Sequence, residues 1–223
     1  MHVITANYNQ NPNIGLFCYV NDKFCLVPKL FPKKLKKKFE EVLKVPVHEI
    51  SAAGTSLLGV FFAGNDDILL VPEIMFESEL KDLETFKIKY KIIKSELTAL
   101  GNNLLINGNV CIANPEYSDD VLKDIETALK IKVKHGKISD LNIIGSLAGV
   151  NKKGCLTCPD IKNFEKKFLE DNLKVKVTTG TVNFGSPYVS SGLICNSNGF
   201  VIGDMSGGPE IQNADIALGF LED

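Results

Sequence analysis

The sequence predicts an α+β fold: a closed ring of five ββαβ-type repeats with five-fold pseudo-symmetry. Three observations carry this. A proline recurs at Pro28, Pro72, Pro115 and Pro159, at intervals of 44, 43 and 44 residues, and another step of 44 lands on Gly203. The segments leading to these points correspond: NIGLFCYVNDKFCLVP, LLGVFFAGNDDILLVP, LGNNLLINGNVCIANP, IGSLAGVNKKGCLTCP and YVSSGLICNSNGFVIG. The fifth repeat reaches only its helix, while a strand-like run, HVITANY (2–8), stands unassigned at the other end. A fixed period of this size marks an array of supersecondary units.

Each repeat opens with two apolar runs around a polar turn. The turns NDK, GNDD, NGN, NKKG and NSNG are built from Asn, Gly and Asp, which tolerate positive φ and close tight hairpins. The proline then marks a strand end, where a missing N–H does no harm. Helical spacing follows at Leu35, Phe39, Val42 and Leu43, and at Leu80, Leu83 and Phe86. It returns at Val121, Leu122, Ile125 and Leu129, at Phe164, Phe168, Leu169 and Leu173, and at Ile211, Ile216 and Phe220. Ser118 and Asp160 are expected N-caps, and the proline of SGGPE (206–210) fits a first helical position. VPVHEIS (45–51), IKYKIIK (88–94), IKVKHGKI (131–138) and VKVTT (175–179) read as third strands. The amino-terminal run is expected to supply the fifth and to close the ring, which removes exposed sheet edges. One domain, 1–223, is expected, with repeats near 9–53, 54–97, 98–141, 142–185 and 186–223, and with 1–8 completing the last.

Composition narrows the function. With 44% hydrophobic residues the chain can bury a large core, and no apolar run approaches the length that spans a membrane, so a cytoplasmic protein is expected. The net charge of −2 argues against binding nucleic acid by bulk charge. All 25 basic residues are lysine, and arginine is the usual reader of base edges. Cys155-Leu-Thr-Cys158 has metal or redox spacing but lacks a second pair. His48 and His135 both lie 20 residues past a landmark proline, so they are expected to share one strand position. No GxSxG, Walker, GxGxxG or HExxH pattern occurs, and the acid pairs Asp66/Asp67 and Asp119/Asp120 read as turn and cap residues. A non-catalytic protein is expected.

The loops between units carry ISAAGTS (50–56), LTALGNN (97–103), NIIGS (142–146) and TTGTVNFGS (178–186). In a ring such loops emerge at one end and form a single face, and their small residues permit close approach of a partner. Here the sequence resembles a known family. Gly54-Thr55-Ser56, Ala99-Leu100-Gly101-Asn102 and Gly180-Thr181-Val182-Asn183-Phe184-Gly185-Ser186, with the Leu69–Pro72 strand exit, are similar to the translation initiation factor 6 family of ribosomal anti-association factors. The resemblance runs from Met1 to Asp223. It implies the pentein fold, an α/β propeller. It also implies binding to the inter-subunit side of the large ribosomal subunit, on ribosomal protein uL14, toward eL24 and the sarcin–ricin loop of the rRNA. Subunit joining would be blocked sterically, by a monomer, with a further role in large-subunit maturation. No nucleotide, cofactor or metal is implied.

The expected ribosome-binding residues are Gly54, Thr55, Gly101, Asn102, Gly145, Ser146, Asn183, Phe184, Gly185 and Ser186. Asn102 and Asn183 would donate hydrogen bonds, and Phe184 would anchor. Eukaryotic members carry a tail past the last helix, whereas this sequence runs to Leu221-Glu222-Asp223, as in the archaeal type. The run PKKLKKKFEE (32–41) is more basic than the family pattern. A solvated helix face is its expected role, with phosphate contact the alternative. The same fold class contains amidinotransferases and deiminases with a cysteine nucleophile, so an enzyme of that kind and a generic protein-binding scaffold are the rivals.

Overall fold

The computed structural model describes residues 1–108 and 110–221. Unit one contains α1 (Ile14–Phe17), β2 (Tyr19–Val20), β3 (Cys25–Pro28), α2 (Lys33–Leu43) and β4 (Val47–Ile50). Unit two repeats this with α3 (Leu58–Phe61), β5 (Ala63–Gly64), β6 (Leu69–Pro72), α4 (Glu77–Thr85) and β7 (Tyr90–Ile93). Unit three has α5 (Leu100–Asn103), β8 (Leu104–Asn107), β9 (Val110–Ala113), α6 (Asp119–Leu129) and β10 (Lys132–His135). Unit four has α7 (Ile144–Leu147), β11 (Ala148–Val150), β12 (Gly154–Thr157), α8 (Asn163–Leu173) and β13 (Lys176–Thr179). Unit five has α9 (Val189–Gly192), β14 (Leu193–Cys195), β15 (Phe200–Gly203) and α10 (Gly208–Ala217), with β1 (Val3–Ala6) as its third strand.

In each sheet the landmark strand lies in the middle, antiparallel to the strand before it and parallel to the third strand, which follows the helix in units one to four and is β1 in unit five. Both faces of these middle strands are covered, so CLVP, LLVP, VCIA, GCLT and FVIG are buried at every position. Each hydrophobic cluster joins two neighbouring units: Leu26 and Ile50 pack with Leu58 and Leu69, and Ile112 and Ile138 pack with Ile144 and Leu169. No repeat covers its apolar surface alone, so the array gains its core by closing.

Closure runs through the amino terminus. Val3, Ile4, Thr5 and Ala6 pair in parallel with Phe200, Val201, Ile202 and Gly203. His2 Nε2 lies 2.8 Å from Asp215 Oδ1, and its ring stacks on Phe220 at 5.2 Å.

The structure corrects several expectations. The first apolar run of each repeat is a one-turn helix followed by a short strand, not one strand. Short apolar runs do not distinguish the two by periodicity. Pro115 and Pro159 lie two residues past the strand ends at Ala113 and Thr157, because the loop leaving the middle strand varies in length. His48 and His135 are consequently not equivalent: His48 faces Leu26 inside its ladder and His135 faces Ala113 at the end of its own. The fourth helix begins at Asn163 after Lys162, leaving Asp160 in the preceding turn, whereas Ser118 Oγ does accept from Val121 N. The last helix buries Ala214 and Ala217 rather than Ile211 and Ile216, and Phe220 lies beyond its end. Phe164 is exposed at the start of its helix.

Candidate functional site

Parallel pairing of the second and third strands gives the ring two unlike ends. Loops leaving the middle strands and turns leaving the third strands share one end; the β-hairpin turns occupy the other.

At the first end, tight turns close at Tyr8–Asn11, Ala52–Thr55, Ile138–Leu141 and Val182–Ser186. The first three hold left-handed pairs: Asn9 and Gln10, Ala53 and Gly54, Ser139 and Asp140. Such pairs define the I′ geometry. The fourth is longer, with Asn183 at φ 49°, Phe184 at 67° and Gly185 at 96°. A glutamate at the third position of the following helix holds three of these turns. Glu79 accepts from Ala53 N and Gly54 N at 3.0 and 2.9 Å, and Glu165 from Ser139 N and Asp140 N at 2.9 and 3.1 Å. Glu210 accepts from Phe184 N at 3.1 Å, Gly185 N at 2.9 Å and Thr181 Oγ1 at 2.7 Å, and also from Gly207 N of its own cap. Partial burial opposes ionisation of Glu210, but these donors outweigh it and hold the carboxyl below the usual range. Nothing in the sequence reading singled out these glutamates, although they fall six or seven residues past Pro72, Pro159 and Gly203. In unit one Leu35 takes that place, and Gln10 N donates instead to Asn7 Oδ1 at 3.2 Å.

The expected site residues divide into two layers. Gly54, Thr55, Phe184 and Gly185 are exposed on the turns, with Phe184 at 85% of its full area. Gly54 lies under the Phe76 ring at φ 73°, where a Cβ would crowd that ring. Thr55 Oγ1 is committed to Ala52 O at 2.8 Å, and Ser186 N to Val182 O. Contrary to expectation, Asn183 does not offer its amide outward. Its Nδ2 reaches Pro12 O at 3.1 Å and Asn13 Oδ1 at 3.2 Å, tying unit five to unit one.

Gly101, Asn102, Gly145 and Ser146 are not in loops at all. They lie in α5 and α7, two of the five short helices that pack around the axis, α1 on α3, α3 on α5, α5 on α7, α7 on α9, and α9 on α1. A Cβ on Gly101 would overlap the Gly59 carbonyl oxygen, and one on Gly145 the Gly101 oxygen, so these glycines serve the ring and not a partner's backbone. Asn102 remains half-exposed, with no side-chain partner among the described residues.

The sequence reading also missed the apolar surface beside the turns. Leu30, Ile74 and Met205, each two residues past a middle-strand end, are exposed, as are Phe76, Tyr188 and Phe164. Met1 and Leu221, also exposed, lie away from these turns.

The hairpin end is closed chemically. Asn21, Asn65, Asn151 and Asn196 each cap their own turn through Oδ1. Their amides, and that of Asn107, donate to a neighbouring unit's backbone, often at a helix end: Asn65 to Leu129 O, Asn107 to Leu173 O, Asn151 to Leu218 O and Asn196 to Leu43 O. Lys152 bridges Asp22 and Asp66 across the channel mouth, 2.7 Å from each. Burial opposes the Asp22 charge, but Lys152 and the N–H and hydroxyl of Ser197 prevail and lower its pKa. A cavity of ≈130 Å³ lies inside, lined by apolar side chains, glycines of the short helices, Tyr19, Ser190, Cys18 and Cys195. Burial, then the Asp22 charge, pushes the Cys195 thiol up to about 12, whereas a nucleophilic cysteine needs the opposite shift. Cys155 and Cys158 sit in the hydrophobic cluster between units three and four, and burial raises both thiols. The described residues contain no cluster of three or more His, Cys, Asp or Glu able to hold a metal ion, and no helix long and apolar enough to cross a membrane.

Five three-stranded sheets with outer helices, closed around an axis, define the five-fold pseudo-symmetric α/β propeller, or pentein, class. A C. jejuni agmatine deiminase aligns at TM-score 0.41 and 11% identity, over 56% of this chain and 50% of that one, a likeness too distant to bear on chemistry. The chain belongs to the eIF-6 family, whose model matches residues 3–216. It is 41% identical to "Translation initiation factor 6" of Pyrococcus furiosus over 227 residues, covering 99% of this chain and all of the relative. The protein of the same name from Saccharolobus solfataricus is 39% identical over 210 residues, 93% of this chain and 94% of that one. That of Thermococcus onnurineus is 32% identical over the full length of both.

Proposed function

We propose that the protein acts in translation initiation by binding the large ribosomal subunit on its inter-subunit face, where the bound ring occupies space that the small subunit needs. Family membership across residues 3–216 carries this reading. The contrast between the two ends supports the turn end as the docking surface. Phe184 is the anchor, Gly54, Thr55, Gly185 and Ser186 form the flanking turns, and Asn102 and Ser146 sit at the channel rim. Gly101, Gly145 and Asn183 act from behind, by holding that surface in shape. The partners are uL14, with eL24 and the sarcin–ricin loop beyond it, and the same occupancy would serve during subunit maturation.

Steric exclusion needs no chemistry. An aromatic seated in a desolvated pocket supplies about 2 kcal/mol or more to such an interface, and the rigid sheets spare the ordering cost of a mobile binder. The raised thiols favour this non-catalytic reading over a deiminase-like one. Sucrose-gradient sedimentation with purified subunits tests it. Co-migration with large but not small subunits, without nucleotide or metal, and loss of subunit joining at saturating protein are expected. Normal joining under saturation would overturn the reading.

A further inference from the structure

Unit one departs from the other four at the same end of the ring. Residues 29–44 carry seven lysines against two glutamates, a local charge of +5 in a chain whose total is −2, so the remainder sums to −7. Within this stretch Lys29 pairs with Asp82 at 3.1 Å and Lys36 with Glu49 at 3.3 Å. Lys33, Lys34, Lys37 and Lys38 are exposed and have no carboxylate within ion-pair distance among the described residues.

This arrangement opposes the stability of its own helix. Lys33 and Lys37, and Lys34 and Lys38, are spaced four apart, where like charges repel. They also crowd the first half of α2, which has no acidic residue in its first turn, and cations there oppose the macrodipole. The helices α4, α6, α8 and α10 all place acids in that turn. Glu40 lies three residues from Lys37, and Glu41 three from Lys38 and four from Lys37, but neither forms an ion pair with them among the described residues. No acid has that spacing to Lys33 or Lys34. A local rule broken in this way points to an external partner. A polyanion is the partner that turns repulsion into attraction, and lysine, a compact point charge, suits phosphate without demanding a fixed geometry.

The position selects which polyanion. α2 leaves β3 through the loop containing exposed Leu30, at the turn end, so its first lysines stand at the edge of the proposed docking surface. We infer that Lys33, Lys34, Lys37 and Lys38 form a phosphate-binding flank of that surface and contact the rRNA backbone of the large subunit. The inference rests on the large-subunit reading. The contact adds a salt-dependent, sequence-independent attraction beside the apolar anchor, which also speeds encounter.

The test compares wild type with K33Q/K34Q/K37Q/K38Q in co-sedimentation with purified large subunits between about 50 and 200 mM salt. The variant should bind at least fivefold more weakly at the low end and approach wild type at the high end. Its slope of log affinity on log salt should be shallower by roughly one or more, since each lost phosphate contact removes about 0.7–0.9. Its melting temperature should be no lower, because repulsion has been removed. Equal affinity and slope would overturn the inference and leave the docking reading intact; failure of wild type itself to bind would remove both. A photo-crosslinking residue at Lys37 should attach to RNA, and attachment to a ribosomal protein instead would overturn the phosphate assignment.

Discussion

The two ends of the ring use the same repeat for opposite purposes. At the hairpin end, asparagines at equivalent positions turn inward, and each amide donates to the next unit or to a helix end. Even the charges there are spent on one another, with Lys152 between Asp22 and Asp66. At the turn end the glutamates hold the backbone from below, leaving Phe184, Tyr188 and Met205 exposed and Asn102 half-exposed. An end whose polar groups are satisfied internally has little to offer a partner, whereas an end that exposes apolar groups on a fixed backbone is poised to bind.

Cutting the closure that both ends share has the largest expected effect. Deleting residues 1–8 removes the third strand of unit five and the His2–Asp215 contact. A loss of about 3 kcal/mol or more is expected, a melting-temperature drop of roughly 6–12 °C. A truncated protein that melts like wild type would show that the ring does not depend on this strand.

The comparison itself is sharpened by one substitution at each end. Asn196→Ala leaves the Asn21 carbonyl oxygen without its amide donor, the Leu43 oxygen with Asn198 Nδ2 in place of two amides, and the turn N–H groups of Asn198 and Gly199 without their acceptor. A destabilisation of about 2–3 kcal/mol is expected with large-subunit affinity unchanged in the folded fraction. Phe184→Glu or Asn102→Arg should do the reverse, weakening large-subunit binding at least tenfold, about 1.4 kcal/mol, with the melting temperature nearly constant. Charge reversal at Lys36 and Lys37 should weaken binding less than either, and less again at high salt. If Asn196→Ala abolished binding and Phe184→Glu did not, the assignment of the two ends would be inverted.

The smallest effect is a pH dependence at the Phe184 turn. Glu210 is held below the usual carboxylate range in the folded protein, so its contribution is fully present above the unfolded pKa of about 4.3 and is lost as pH falls through the folded value. Glu210→Gln should cost about 1 kcal/mol at neutral pH and less as the pH is lowered. A cost that stays constant to low pH would mean the carboxylate charge does not hold the turn.

Much of the fold was legible in the sequence because it rests on local chemistry repeated five times. The hairpin asparagines, the long amphipathic helices and the unpaired strand at residues 2–8 each announce themselves within a dozen residues. The turn glutamates were missed because their role joins a helix start to a turn about 25 residues away, and a single sequence shows only a scattered Glu79, Glu165 and Glu210. Of the expected site residues, Gly54, Thr55, Asn183, Phe184, Gly185 and Ser186 do lie in turns, whereas Gly101, Asn102, Gly145 and Ser146 lie in short helices, since LGNN and IGSL carry no periodicity that separates a single helical turn from a loop.

By itself, then, the sequence determined the number of units, the middle strand, outer helix and third strand of each, and the way the ring closes, all of which follow from period, turn chemistry and hydrophobic spacing. Tertiary structure alone decided which polar groups remain for a partner. Asn183 and Asn102 look alike in the chain, yet one amide is consumed by Pro12 and Asn13 from across the closure while the other has no such neighbour. Whether a hydrogen-bonding group is free depends on what residues far away in sequence bring against it, and that is settled only when the units meet.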